Sequence, residues 1–186
     1  MQHIQPKNYA AGILPITWMH GTALFLLGRD IRDGTYSDFG GKRERYDRNE
    51  LATASREFYE ETLGTVVGQR QIHLRLTPKT ALLVCGRTQN GNPYYMYVVE
   101  VPYIPYVRSS FRKTAEFLKS KKLNRLYVEK IDIQWATLDM LHSMNKRSVF
   151  ENTLNANSEI IEKIGKSTPE QWRAMCQQHS HSFTPP

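Results

Sequence analysis

Apolar and polar positions fall into short strand-like runs through much of the N-terminal half and recur at helical spacing in several later segments. Runs at residues 10–18 and 22–28 flank Met19-His20-Gly21, a pattern that predicts a β-hairpin opening a sheet. The stretch 29–41 reads as a loop. It ends in Tyr36-Ser37-Asp38-Phe39-Gly40-Gly41, where two glycines beside an aromatic mark a tight turn or a close approach of backbone to a ligand. Over residues 50–63, Leu51, Ala54, Ser55, Phe58 and Leu63 share one side of a helix and charges occupy another, with Asn49 as N-cap and Gly64 as terminator. Strands are predicted at 72–76, 80–85 and 94–101, the last closing a second hairpin across the Asn90-Gly91 turn signal. Residues 110–122 read as a basic helix, 131–135 as a short strand and 148–164 as a helix. A last helix spans 170–178, opened by Thr168-Pro169-Glu170.

There is no internal repeat and no low-complexity linker. The expectation is therefore one α/β domain over residues 1–178, with helices covering a central mixed sheet, and a loose tail at 179–186. Composition agrees: 186 residues, 40 % hydrophobic and 11 % aromatic, exclude a largely disordered chain. No apolar run approaches the roughly 18 to 20 residues that span a bilayer, so no membrane partner is expected. The N-terminus shows no secretory pattern. Cys85 and Cys176 lack ligand-spaced partners and read as free thiols of a reducing, cytoplasmic compartment. The net charge of +7 favours polyanions. Most of that surplus lies between Tyr106 and Lys130, where eight Lys and Arg face two Glu.

The chemistry is concentrated in Gly40-Gly41-Lys42-Arg43-Glu44, Asp47 and Arg56-Glu57-Phe58-Tyr59-Glu60-Glu61. On a helix turning about 100° per residue, Glu57, Glu60 and Glu61 share one face. Such a group of hard oxygen donors suits Mg²⁺ or Mn²⁺, and without a cation its like charges repel. The same three glutamates also read as a solvated acidic face with ordinary ion pairs.

The segment resembles the signature of the Nudix hydrolases: Gly, five residues, Glu, seven residues, then Arg-Glu-apolar-any-Glu-Glu-any-Gly. Gly41 and Asp47 match the opening, with Asp for Glu, and residues 56–61 match without a gap. Eight residues rather than seven separate Asp47 from Arg56, and the closing glycine, Gly64, arrives one position late. The resemblance implies an α/β/α sandwich and metal-dependent hydrolysis of a diphosphate linkage. It makes Glu57, Glu60 and Glu61 metal ligands, with Glu57 alternatively the base, and has the Gly40 carbonyl adding an oxygen. Arg56 would orient a glutamate, Glu44 would hold the loop or assist the metal, and Asp47 would be structural. Glu129, before the last strand, and Glu100 are further base candidates.

Lys42, Arg43 and Arg29 are candidates for substrate phosphates, Phe39 for stacking, and Arg112 and Lys113 for a basic substrate arm. Tyr95 and Tyr97 read as core. The basic segment favours a phosphate-rich partner: a capped RNA 5′ end, as in mRNA decapping, or a diphosphoinositol polyphosphate. Small nucleotides such as nucleoside triphosphates, dinucleotides or ADP-ribose are the alternative, and a non-catalytic module binding RNA or nucleotide is a third reading.

Overall fold

The structure, a computed structural model, describes residues 8–122 and 128–179. The expected tail beyond His179 lies outside the described residues, as does Arg125 of the basic segment. Seven strands form one mixed sheet: β1 (Ala10–Met19), β2 (Thr22–Asp30), β3 (Tyr36–Ser37), β4 (Phe39–Lys42), β5 (Ala81–Arg87), β6 (Pro93–Glu100) and β7 (Lys130–Ala136). The order is β3-β2-β1-β6-β5, with β4 paired to β1 and β7 to β2. β1 and β6 run parallel and every other pair is antiparallel.

β6 is buried on both sides because its alternating residues enter two cores. Tyr95, Tyr97 and Val99 join Ala11 and Ile13 under α1 (Glu50–Glu61), α2 (Gln69–Arg75) and α3 (Val107–Ser120). Tyr94, Met96 and Val98 join Leu14 and Ile16 under α4 (Leu138–Ser143), α5 (Ser148–Ala156), α6 (Ser158–Gly165) and α7 (Pro169–Gln178). The result is the expected α/β/α sandwich with a mixed central sheet.

Both hairpins, the capped helix at 50 and the strand at 131–135 lie where the sequence places them, within one to three residues at each end. Asn49 Oδ1 accepts from the Ala52 N–H at 2.9 Å, a cap worth about 1 kcal/mol. Residues 72–76, expected as a strand, belong instead to α2 and its C-cap. Ile72 and Leu76 are buried while Leu74 is 68 % exposed, so the alternation of five residues was the i, i+4 spacing of a short helix packed on α1. The helix expected at 148–164 breaks at Asn157, whose side-chain amide donates to the Thr153 and Cys85 carbonyls. Residues 29–41, expected as loop, contribute β3 and β4, and β4 builds the site.

Candidate functional site

β4 runs antiparallel to the start of β1, with Gly40 opposite Gly12 and Gly41 opposite Ala11. A Cβ on Gly41 would lie 2.5 Å from Glu57 Oε1, so only glycine lets the α1 carboxylate come this close. Arg56, with a side chain only 8 % exposed, ties the region together. Its Nε and Nη2 donate to Asp47 at 3.1 and 2.9 Å, Nη2 also donates to the Lys42 carbonyl, and Nη1 donates to Glu57 at 2.9 Å and Glu60 at 3.0 Å. Asp47 is buried and accepts in addition from the Glu44 N–H and the Thr53 hydroxyl, which is the structural role expected of it.

Glu61 points the other way. It is buried, its Oε2 accepts from the Gly40 N–H at 2.8 Å, and its Oε1 lies 3.2 Å from Lys130 Nζ. Lys130 has no exposed side-chain surface and donates to Ser37 Oγ at 2.9 Å. Next along β4's approach, Asp38 is buried and accepts from the Tyr94 hydroxyl at 2.5 Å. Burial pushes Asp38 up to about 6, against the pull of Tyr94 and Lys130. Burial likewise pushes Glu57 up to about 7, with Glu60 and Glu129 adding to the rise and Arg56 opposing it. Glu61 is raised too, by burial above all, while the Lys130 ammonium holds it back.

On the α5 side of the sheet, a cleft of about 470 Å³ opens against the same two glycines. Asn8, Gln89, Asn90 and Asn92 supply amide groups to its lining, Lys42, Arg43 and Arg147 supply positive charge, and the buried Asp38, Tyr94 and Phe150 border it from within the protein. Gly40 and Gly41 thus border the cleft and touch Glu61 and Glu57. A bare strand separates the carboxylates from the cavity.

The three glutamates do not form the single ligand cluster that their helical spacing predicts. Among the described residues no group of three His, Cys, Asp or Glu is arranged to hold a metal ion. Glu61 has both oxygens engaged, whereas Glu57 and Glu60 each bond Arg56 through one oxygen and keep the other outside that contact. Carboxylate oxygens are the hard donors that Mg²⁺ and Mn²⁺ take, and Glu57 and Glu60 are the two signature glutamates with an oxygen outside the Arg56 contact. Gly40 meets Glu61 through its N–H.

Other expected residues divide in the same way. Lys42 and Arg43 line the cleft, although Arg43 also donates to the Asp47 carbonyl and lies over the Tyr9 ring. Phe39 cannot stack on a ligand: it is fully buried and meets Phe58 edge-on at 5.6 Å. Arg29 folds back on its own loop, donating to the Gly34 carbonyl. Arg112, with Arg108, grips Asp132, while Lys113 is exposed on α3. Glu129 is exposed and close enough to raise Glu57 electrostatically. Glu100 is displaced from the site: it lies six residues along β6 from Tyr94, about 20 Å of strand. Lys130, Asp38, Tyr94 and Arg147 are site residues that sequence reasoning missed. Lys130 directly follows the expected acid Glu129, and Asp38 precedes the Phe39-Gly40-Gly41 step; those adjacencies were the only signals.

No protein-family model matches the chain, and no curated protein matches it. Solved structures do. The Nudix domain of Shewanella oneidensis NrtR, complexed with ADP ribose, superposes with a TM-score of 0.51 at 15 % identity, over 84 % of this chain and 87 % of that one. The chain has the Nudix fold. A chain from the complex between the C-terminal domain of mouse MUTYH and human PCNA gives the same TM-score at 10 % identity, over 90 % of this chain and 98 % of that one. The extra residue between Asp47 and Arg56 does not separate the two, since Asp47 takes two hydrogen bonds from Arg56. The late glycine is equally local: Leu63 and Gly64 both take positive φ, and the Gly64 N–H closes the helix on the Tyr59 carbonyl.

Proposed function

We propose that the protein hydrolyses a diphosphate linkage in a nucleotide, using a divalent cation held by Glu57 and Glu60. The observation that carries this reading is the shared wall: Gly40 and Gly41 border the cleft and touch the α1 carboxylates. A ligand in the cleft would lay its nucleoside among the amide groups, with Lys42, Arg43 and Arg147 drawing its phosphates, and its diphosphate would pass the outer edge of β4, which pairs only with β1 among the described strands, to reach Glu57 and Glu60. When bound, Mg²⁺ or Mn²⁺ supplies charge neutralisation and an acidified water. Arg56 fixes Glu57 and Glu60 in place through its Nη1. Glu129 is exposed and close enough to act on the Glu57 carboxylate electrostatically.

The cleft favours nucleotides over diphosphoinositol polyphosphates, which carry no base for its amides to read. The capped 5′ end of RNA keeps a nucleoside and stays within this reading; exposed Lys113 and Lys119 on α3 offer charge to a longer chain. The ADP ribose bound to the NrtR Nudix domain supports a nucleotide ligand for the fold. A second reading, a binding module without turnover, is favoured by one observation: each signature glutamate already faces a protein cation.

The test is phosphate-product release with Mg²⁺ or Mn²⁺ from ADP-ribose, dinucleotides, nucleoside triphosphates, capped RNA and diphosphoinositol polyphosphates. Nucleotide turnover that falls by about 10²-fold or more in Glu57→Gln and Glu60→Gln is expected. Preference for inositol substrates counts against the cleft. Nucleotide binding without turnover establishes the module.

A further inference from the structure

A lysine ammonium with no exposed surface is costly to bury and persists only where its partners satisfy it. Lys130 has three such neighbours. Its Nζ is 3.2 Å from Glu61 Oε1 and donates to Ser37 Oγ at 2.9 Å, and the buried Asp38 carboxyl, which follows Ser37, adds its field. The stem is boxed in as well: a Cβ on Gly28 would lie 3.1 Å from Lys130 Cδ and Cε, and Gly28 is the β2 residue that faces Ile133 in the register with β7. The ammonium is enclosed, with its Cδ and Cε against β2 and no part of the side chain exposed.

Glu61 is used just as completely. One oxygen takes Lys130 and the other takes the Gly40 N–H, so the carboxylate links the first residue of β7 to the bare part of β4. Glu57 and Glu60 differ: they share one guanidinium nitrogen of Arg56, each through a single oxygen, and Glu60 is 43 % exposed.

We propose that Lys130 is the resident cation of this site: its ammonium takes the place on Glu61 that a second divalent ion would need, so Glu61 anchors the Gly40 backbone while Glu57 and Glu60 hold the only exchangeable cation. The proposal rests on the metal-dependent reading above and deepens it, since it makes Lys130 a positioning residue and lowers the number of ions the protein can bind. A positive charge fixed by the chain supports Glu61 at any ion concentration. The exchangeable ion then depends on two glutamates rather than three.

The experiment is Mn²⁺ binding to the full chain, with free Mn²⁺ read by electron paramagnetic resonance, for wild type, Glu60→Gln, Glu61→Gln and Lys130→Met. The expected result is one Mn²⁺ on the wild type, an affinity lowered about tenfold or more by Glu60→Gln, and an affinity kept within about threefold by Glu61→Gln. Lys130→Met should gain a second Mn²⁺ that disappears when Glu61→Gln is added. Should Lys130→Met fail to fold, the comparison of Glu60→Gln with Glu61→Gln decides alone. Equal weakening by those two changes overturns the role of Lys130 and leaves the hydrolase reading standing, as does a folded Lys130→Met that binds no additional ion. A wild type that binds no Mn²⁺ overturns both.

Discussion

Asp47 and Asp132 are both buried and both grip arginines, and they do so to different ends. Asp47 takes two hydrogen bonds from Arg56, whose side chain is 8 % exposed, and the remaining guanidinium hydrogens reach Lys42, Glu57 and Glu60. Asp132 on β7 takes bonds from both Arg108 and Arg112, whose side chains are about half exposed. The chemistry of the contact is the same. The solvent around it is not, and ion pairs in low dielectric are the ones whose disruption leaves an uncompensated charge. The first pair shapes a site; the second fastens a basic helix to the edge of the sheet.

Arg56→Met should break the first arrangement most severely, leaving Asp47, Glu57 and Glu60 without their shared cation. A loss of about 3–5 kcal/mol in urea-induced unfolding is expected, and a loss below 1 kcal/mol would remove the contrast. Asp47→Asn comes next, at about 2 kcal/mol, because charge-assisted bonds to Arg56 are weakened rather than deleted.

Acid unfolding sharpens the comparison further. Burial pushes both aspartates upward, but the hydrogen bonds of Arg56, the Glu44 N–H and Thr53 bring Asp47 below its ordinary range, and those of Arg108 and Arg112 do the same for Asp132. A carboxyl whose folded pKa is depressed contributes stability that is present above its unfolded value, about 3.9, and lost as pH falls through the folded one. Asp47→Asn and Asp132→Asn should each flatten the acid limb of a stability profile below about pH 4. An unchanged limb in Asp132→Asn would mean that its arginines are held by something else. The smallest effect belongs to Arg112→Ala, roughly 0.5 kcal/mol in moderate salt, since Arg108 stays behind on Asp132.

The legibility of the sequence follows a related line. The helix with its Asn49 cap, both hairpins and the role of Asp47 were readable because their signals lie within a few residues of one another. Residues 72–76 misled because five positions cannot distinguish period two from an i, i+4 pair. Lys130 and Asp38 were invisible for another reason: Lys130 bonds Ser37 across 93 positions, and Asp38 bonds Tyr94 across 56. Charged residues carry no burial signal until the chain closes around them. Phe39 looked available for a ligand because it precedes two glycines, yet it is the side chain that seals the core beneath them.

The bare strand at Gly40 and Gly41 leaves a partition one backbone thick between the α1 carboxylates and the cleft. Change at either glycine is felt on both sides at once, so those two positions have little freedom to drift. Asn8, Gln89, Asn92 and Arg147, by contrast, border the cavity alone. Over generations, ligand preference can wander along that rim while the acidic side stays fixed.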